Sequence, residues 1–146
     1  MIQTVNEARQ LASDLRPLLL RLARRLRRES HAFGITGGQA TLLAAIHDQP
    51  GVTARELAER EQVSAPGMSA QLAVLEAGGF IRRERALDRR RVGLYLTPDG
   101  RRVLQAVRRQ RTAWLAARLE ELTAADRARI EAALGPLRRL LEDEAR

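Results

Sequence analysis

The chain has 146 residues, the length of one compact domain, and its 45% apolar and 30% charged residues argue against global disorder. It contains no Cys, which excludes disulfides, Cys-based zinc sites and thiol redox chemistry. No apolar run approaches the roughly 18 residues of a membrane span, and the first residues lack a signal-peptide pattern, so we expect a cytoplasmic protein.

Positive charge is concentrated in one part of the chain. There are 26 basic residues, all of them Arg, against 18 acidic residues, which gives a net charge of +8. Residues 81–109 alone carry ten Arg and three acidic residues. Such an excess indicates a polyanionic partner or an anionic membrane surface.

Apolar periodicity predicts a mainly α fold of about six helices. Leucines at helical spacing predict a first helix over about residues 5–31. Pro17 should kink this helix, unless Ser13 or Asp14 caps a fresh start. The later helices are predicted over about residues 36–48, 53–61, 64–77, 97–120 and 123–143.

Helix starts carry recognisable capping residues. Two segments fit the capping box, and two more place Thr before acidic first turns. These four segments are Thr36–Gln39, Thr53–Glu56, Thr97–Asp99 and Thr123–Asp126.

Between Gly79 and Thr97 the helical period is interrupted. Phe80-Ile81 begins one predicted strand, and Val92–Leu96 alternates over a second. The residues between them are mostly charged, which predicts a β-hairpin with a basic tip.

Residues 53–77 fit a helix-turn-helix, with Leu57-Ala58 on the first helix and Val63 at the turn. The apolar positions of the second helix are Met68, Leu72 and Leu75. In such motifs the N-terminal end of the second helix enters a DNA major groove. The candidate contacts there are Ser64, Ala65, Pro66, Ser69, Ala70 and Gln71, together with Arg55 on the first helix. By itself the pattern fits an ordinary helical corner equally well.

The basic hairpin makes the DNA-binding interpretation stronger, because a basic hairpin directly after a recognition helix is typical of a wing. Arg suits the narrow minor groove, where the negative potential is enhanced. The candidate wing contacts are Arg85, Asp88, Arg89, Arg90 and Arg91. The alternative is a solvated charge run that discourages edge-to-edge association.

The chain resembles the MarR family of bacterial winged-helix regulators along nearly its whole length. The motifs that carry the resemblance are Ile35-Thr36-Gly37-Gly38-Gln39, Leu57-Ala58-Glu59, Val63-Ser64-x-Pro66, Leu75-Glu76-x-x-Gly79-Phe80-Ile81, Asp88-Arg89-Arg90 and Leu96-Thr97-Pro98-x-Gly100. The resemblance implies one MarR-like domain over residues 1–146. Its winged helix-turn-helix would span 35–96, with the helix-turn-helix at 53–77 and the wing at 80–96. Residues 1–34 and 97–146 would form a helical dimerisation region.

In function, the resemblance implies a homodimer on a palindromic double-stranded operator, usually a repressor released by a small aromatic or anionic effector. Such a protein would act in the bacterial cytoplasm, associated with the nucleoid through DNA. Apolar rows in the last two helices independently favour a second copy of the chain. These rows are Val103/Val107/Trp114 and Ala133/Leu137/Leu140. A monomeric helical bundle is the alternative.

Several positions depart from the family pattern. Ala65 and Ala70 stand where the family often has Arg, Gln71 where it has an apolar residue, and Gln62 where a turn Gly is common. A bidentate Arg–guanine contact contributes roughly 1–3 kcal/mol of discrimination. We therefore expect weaker base readout, a compensating adenine contact from Gln71, and a steep salt dependence.

Nothing in the sequence predicts an enzyme, a cofactor or a metal site. The two His residues, His31 and His47, belong to no cluster with catalytic or ligand spacing, and there is no phosphate-binding Gly loop. Few aromatic residues argue against single-stranded nucleic acid. The remaining alternative is a basic helical protein that binds DNA without sequence preference, or a membrane surface, and has no regulatory ligand.

Overall fold

The computed structural model describes residues 1–87 and 90–142, and it confirms the mainly α fold with a β-hairpin. The elements, in chain order, are α1 (Ile2–Arg28), a 3-10 helix (Glu29–Phe33), α2 (Gly37–Asp48), α3 (Ala54–Arg60), α4 (Ala65–Ala77), β1 (Ile81–Arg85), β2 (Val92–Leu96), α5 (Pro98–Glu120) and α6 (Ala124–Arg139).

The residues group into two compact units, of which the first comprises Met1–Arg111 and the second begins at Thr112. Every buried apolar residue of the described chain belongs to the first unit, between Ile35 and Val107. This core joins α2, the helix pair α3–α4, the hairpin and the first half of α5. The residues that are less than 2% exposed include Leu43, Ile46, Leu57, Met68, Leu72, Leu75, Leu94 and Val107. The prediction that Val107 of α5 faces a second copy of the chain is wrong. Val107 is 0% exposed and lies in this core, so it is not available to a partner chain.

The hairpin is antiparallel and longer than the sequence indicated. Its register runs from Ile81 opposite Leu96 to Arg85 opposite Val92, so Arg85 lies in a strand and not at the tip. A third segment extends this small sheet, because Val52 forms an antiparallel bridge with Leu94. The Gly51 amide donates to the Leu94 carbonyl at 2.8 Å, and the Leu94 amide donates to the Val52 carbonyl at 2.9 Å. The chain that leads into α3 is thereby attached to β2.

Helix α1 runs without division through Pro17. Asp14 does not cap a new helix; its carboxylate accepts from the Gln10 side chain at 3.3 Å. Pro17 removes the amide that would bond to the carbonyl of Ser13. Ser13 is exposed, so water can satisfy that carbonyl.

The end of α1 is joined to α5 by polar contacts within the first unit. Arg111 donates through Nη2 to Oγ of the fully buried Ser30 at 2.8 Å, and through Nε to the Leu26 carbonyl at 3.2 Å. Gln110 donates to Glu29 at 3.0 Å. The Ser30 hydroxyl is fully buried and needs a hydrogen-bond partner, because an unsatisfied buried polar group is costly. Arg111 supplies that partner.

Helix α5 begins in close contact with the first residues of the hairpin. The Thr97 amide donates to the Phe80 carbonyl at 3.0 Å, and Thr97 Oγ1 accepts from the Gly100 amide at 3.0 Å. A Cβ placed on Gly100 would lie 2.0 Å from the Phe80 carbonyl oxygen. No side chain fits at position 100 unless α5 moves away from the hairpin.

This geometry predicts that Gly100→Ala strongly destabilises the protein, by about 3 kcal/mol or more, because the clash is with backbone that is itself hydrogen-bonded. The measurement is the free energy of unfolding in urea, followed by circular dichroism. The matched control is Gly38→Ala, where the nearest atom to the new Cβ is Thr36 Oγ1 at 3.9 Å. That change should be neutral or stabilising by up to about 1 kcal/mol, since Ala favours the helix. Equal stability of the two variants would contradict the proposed close contact.

Candidate nucleic-acid interface

Helices α3 and α4 form a tight helical corner in the first unit. Leu57 and Ala58 of α3 are buried, as are Met68, Leu72 and Leu75 of α4. The two helices therefore pack through the apolar positions that the sequence predicted for a helix-turn-helix.

The turn between the helices has the hydrogen bonds of a Schellman motif. The Val63 amide donates to the Ala58 carbonyl at 3.0 Å, and the Gln62 amide donates to the Glu59 carbonyl at 3.3 Å. Gln62 has a φ of +53°, the left-handed conformation in which Gly is usually found. Gln62, where the family often has Gly, therefore keeps the turn, but its backbone is strained because it adopts the left-handed conformation.

The start of α4 is fixed by its own side chains. Ser64 Oγ accepts from the Gly67 amide at 3.2 Å, and Pro66 occupies the first turn. The predicted contacts Ala65, Pro66, Ser69 and Ala70 are exposed, as is Ser64, whereas Gln71 is half-buried. From Ala65 to Leu75 this helix carries no charged residue. Its exposed face offers small groups, hydroxyls and one amide.

A shallow groove of about 470 Å³ separates α3 from the start of α4. Its lining brings together three predicted contacts, Arg55, Ala65 and Ser69, with mostly apolar neighbours. Arg55 also forms an ion pair with Glu59, one turn later on α3, at 3.2 Å. Both side chains of that pair are largely exposed, which makes it weak and easily exchanged for another anion.

The predicted wing residues differ in their surroundings. Arg85 is the exposed last residue of β1, and Arg90 is exposed between the strands. Asp88 and Arg89 lie outside the described residues. Arg91 reaches back to α3, where its Nη2 lies 3.0 Å from each carboxylate oxygen of Glu56.

Two more arginines of the hairpin are engaged within the protein. Arg83 Nε donates to Glu76 of α4 at 2.9 Å. The Arg82 guanidinium lies over the Tyr95 ring, 4.8 Å from its centroid, and pairs with Glu84. A part of the positive charge in this region is thus neutralised internally.

Glu56 has two structural partners, which lower the pKa of its carboxyl below the usual value. The larger cause is the hydrogen bond that Oε2 accepts from the Thr53 amide at 2.9 Å. Partial burial opposes the shift, and the positive charge of Arg91 adds to it. Glu56 is therefore ionised at neutral pH, and its pair with Arg91 is a charged one.

The sequence did not identify Val74 as part of this surface. Val74 is 57% exposed and lies three and four residues after Gln71 and Ala70, on the same face of α4. The sequence could have indicated that Val74 is exposed, because Val74 does not belong to the buried Met68/Leu72/Leu75 row of the helix. The roles of Glu56 and Glu76 as partners of hairpin arginines were also missed, because those pairs form across the fold.

Comparison with known proteins gives the family. A protein-family model described as MarR family matches residues 33–91. An uncharacterized HTH-type transcriptional regulator of Mycobacterium bovis is 34% identical over 119 residues, which cover 81% of this chain and 83% of that protein. The chain belongs to the MarR family. It is accordingly a DNA-binding transcriptional regulator with a winged helix-turn-helix.

Solved structures share the fold of this chain. A Pseudomonas aeruginosa chain described as a transcriptional regulator has a TM-score of 0.81 and 36% identity, over 94% of this chain and 97% of that one. A MarR family protein from Bacillus stearothermophilus shares the fold, with a TM-score of 0.77 and 23% identity over 100% and 99% of the two chains. No helix in the described part of the chain has the length and apolar character needed to cross a membrane.

The left-handed turn residue predicts that Gln62→Gly stabilises the protein, by about 0.5 kcal/mol. Gly removes the steric cost of the left-handed conformation, and its greater freedom in the unfolded chain cancels part of that gain. The measurement is the urea midpoint of unfolding. Gln71→Gly, in the interior of α4, is the control and should cost about 1 kcal/mol. Destabilisation by both changes would contradict a strained turn at Gln62.

Proposed function

We propose that the chain is a homodimeric regulator that binds a palindromic double-stranded operator in a sequence-specific manner. The start of α4 would enter the major groove, and the hairpin would reach the adjacent minor groove. The observation that carries the proposal is the α4 N-terminus, held by the Ser64 cap and the turn at Gln62, with a small and exposed outer face. A helix start fixed in this way can approach base edges closely.

A related structure supports DNA as the partner. A structure of a Staphylococcus aureus MepR variant bound to an oligodeoxyribonucleotide has a TM-score of 0.67 and 21% identity to this chain. The contacts proposed here are Arg55, Ser64, Ala65, Pro66, Ser69, Ala70 and Gln71 for the helix-turn-helix, and Arg85, Asp88, Arg89, Arg90 for the hairpin. Arg91 is left out of this set because its guanidinium pairs with Glu56.

Affinity would come mainly from charge, because the described face of α4 has no Arg for bidentate guanine contacts. Arginines of the hairpin would supply phosphate and minor-groove contacts, while Gln71 and Val74 would contact base edges. This division predicts a steep loss of affinity with salt and a modest preference among sequences.

A dimer is the economical explanation for apolar surface in both units. In α1, the leucines Leu11, Leu18 and Leu22 are 65%, 56% and 46% exposed. In α6 no residue is buried, and Ile130 and Leu134 are 43% and 44% exposed. Soluble monomers rarely leave such rows uncovered, and a second copy would match a two-fold operator. We therefore propose residues 1–34 and 97–146 as the dimerisation region, excepting the core positions of α5.

The regulatory part of the proposal is repression in the cytoplasm, with release from the operator by a small aromatic or anionic effector. No catalytic activity and no cofactor are assigned. The test is binding to the intergenic duplex upstream of the protein's own coding region, titrated with candidate aromatic acids. Release at concentrations that leave the fold intact would support an effector.

The first experiment compares that duplex with a scrambled duplex of equal length over a range of salt concentrations. We expect tight binding that depends on the palindrome. Equal binding to both duplexes would favour DNA binding without sequence preference. Absence of binding at low salt would contradict the proposal and favour a membrane surface or protein partner.

A hairpin variant tests the wing. Replacing Arg89 and Arg90 together by Ala should weaken operator binding by about 1 kcal/mol or more, because minor-groove guanidinium contacts are lost. Replacing Arg102 and Arg129 together by Ala also removes two positive charges, from largely exposed side chains of α5 and α6. This variant is the control for net charge, and sedimentation velocity checks that it keeps the oligomeric state of the unmodified protein. Unchanged affinity in the hairpin variant would refute the wing assignment.

Charged substitutions test the dimer. Leu18→Glu and Leu134→Glu should each shift the protein towards monomer in sedimentation velocity, because a buried unpaired carboxylate opposes association. Leu87→Glu is the control, since Leu87 lies in the hairpin and is fully exposed. A dimer that persists in both helix variants would refute the proposed surface.

A further inference from the structure

The contact between Arg91 and Glu56 connects two parts of the winged helix that are 35 residues apart in sequence. Arg91 immediately precedes β2, and its carbonyl accepts from the Ala86 amide at 2.8 Å. Its backbone therefore closes the loop between the strands. Its side chain extends from the same point to the first turn of α3.

Hydrogen bonds within its own helix start hold the Glu56 side chain in place independently of Arg91. Its amide donates to Thr53 Oγ1 at 3.2 Å, and its carboxylate accepts from the Thr53 amide. These are the reciprocal bonds of a capping box, and they orient the carboxylate. A side chain that is already fixed loses little conformational freedom on pairing, so this pair transmits position better than two mobile side chains would.

The charge of Glu56 is not needed for the cap. Helix α2 starts with the same capping box, in which Gln39 takes the place of Glu: its side-chain oxygen accepts from the Thr36 amide at 2.8 Å. An amide therefore satisfies this geometry within the same protein. The negative charge at position 56 suits the N-terminal end of α3, and it also gives the Arg91 guanidinium, 3.0 Å away, a charged partner on another element.

The backbone around the pair limits its movement. Val52 and Leu94 form the bridge described above, so the start of α3 and strand β2 are already adjacent. The bridge attaches β2 at its middle, and the ion pair attaches the hairpin at the end nearer the loop. Two attachments separated along a strand prevent the hairpin from pivoting about either of them, which one attachment alone permits.

We propose that Arg91 is a positioning residue that holds the hairpin at a set orientation to the helix-turn-helix through Glu56, and does not itself contact DNA. The inference rests on the proposed function, in which α4 and the hairpin engage adjacent grooves of one duplex. Groove spacing on DNA is fixed, so a hairpin that is oriented beforehand loses less entropy on binding.

The alternative role for Arg91 makes opposite predictions. If Arg91 contacted a phosphate, Glu56 would compete with DNA for it, and Glu56→Gln would tighten binding. If Arg91 positions the hairpin, Glu56→Gln weakens binding even though it removes a negative charge near a polyanion. Electrostatics alone cannot produce that weakening.

The experiment measures operator affinity by fluorescence anisotropy for Glu56→Gln, Arg91→Gln and the double variant. Glu59→Gln is the matched control, because it makes the same charge change on the same helix and frees only the exposed Arg55. We expect Glu59→Gln to bind more tightly than the unmodified protein. Glu56→Gln and Arg91→Gln should each weaken binding about fivefold or more.

The double variant should be no weaker than either single variant, because each change breaks the same contact. Arg91→Gln should also leave the slope of log affinity against log salt unchanged, whereas losing a phosphate contact lowers that slope by about 1. Tighter binding by Glu56→Gln, additive losses in the double variant, or a lowered salt slope would each overturn the proposal.

A measurement without DNA separates this inference from the proposed function. Hydrogen exchange of the Ala86 amide should accelerate in Glu56→Gln and Arg91→Gln, since the loop closure depends on Arg91. Exchange at Thr53 should stay slow in Glu56→Gln, since the capping box persists. Unchanged exchange at Ala86 would overturn the positioning role. If the unmodified protein binds no operator, the proposed function fails while this test still reports on the pair.

Discussion

The contact between the Phe80 carbonyl and Gly100 is the constraint on which the rest of the winged helix depends. Strand β1 begins just after α4 ends, and α5 begins just after β2 ends. The start of β1, the end of β2 and the two helices therefore meet at this contact. The Thr97 amide bonds to the same carbonyl. With no room for a Cβ at position 100, α5 can start only against the hairpin, and its first turns then supply Leu104 and Val107 to the core.

The residues that stabilise the fold differ from those proposed to contact DNA. The core holds apolar side chains from residues 35–107, and the faces proposed for DNA contribute almost nothing to it. The start of α4 is rigid because of capping, a Schellman turn and packing on its inner side. Its outer side can therefore vary in sequence without loss of the fold, as the Ala residues at positions 65 and 70 illustrate.

Some of the arginines near the hairpin are held by partners within the protein. The hairpin is rich in Arg, yet Arg82, Arg83 and Arg91 have partners within the protein: a tyrosine ring and three carboxylates. The Arg82 contacts stay within the hairpin, the Arg83 pair connects β1 to α4, and the Arg91 pair connects the residue before β2 to α3. Net charge over a segment thus overstates what is available to a polyanion, because a guanidinium in a fixed pair is partly neutralised and oriented away from other partners.

The sequence by itself determined the order of the helices, the two capping boxes, the presence of the hairpin and the family, while the ends of α1 and α6 lie three to four residues from their predicted positions. These depend on local rules, since an apolar period or a Thr three residues before Glu has the same consequence in any fold. Only the tertiary structure decided that Val107 belongs to the core, that Arg85 lies within a strand, that Val74 is exposed and that Arg91 pairs with Glu56. The burial of Val107 and the Arg91–Glu56 pair depend on residues far apart in sequence, whose distances are set by the packing of whole elements and leave no periodic signal in the chain.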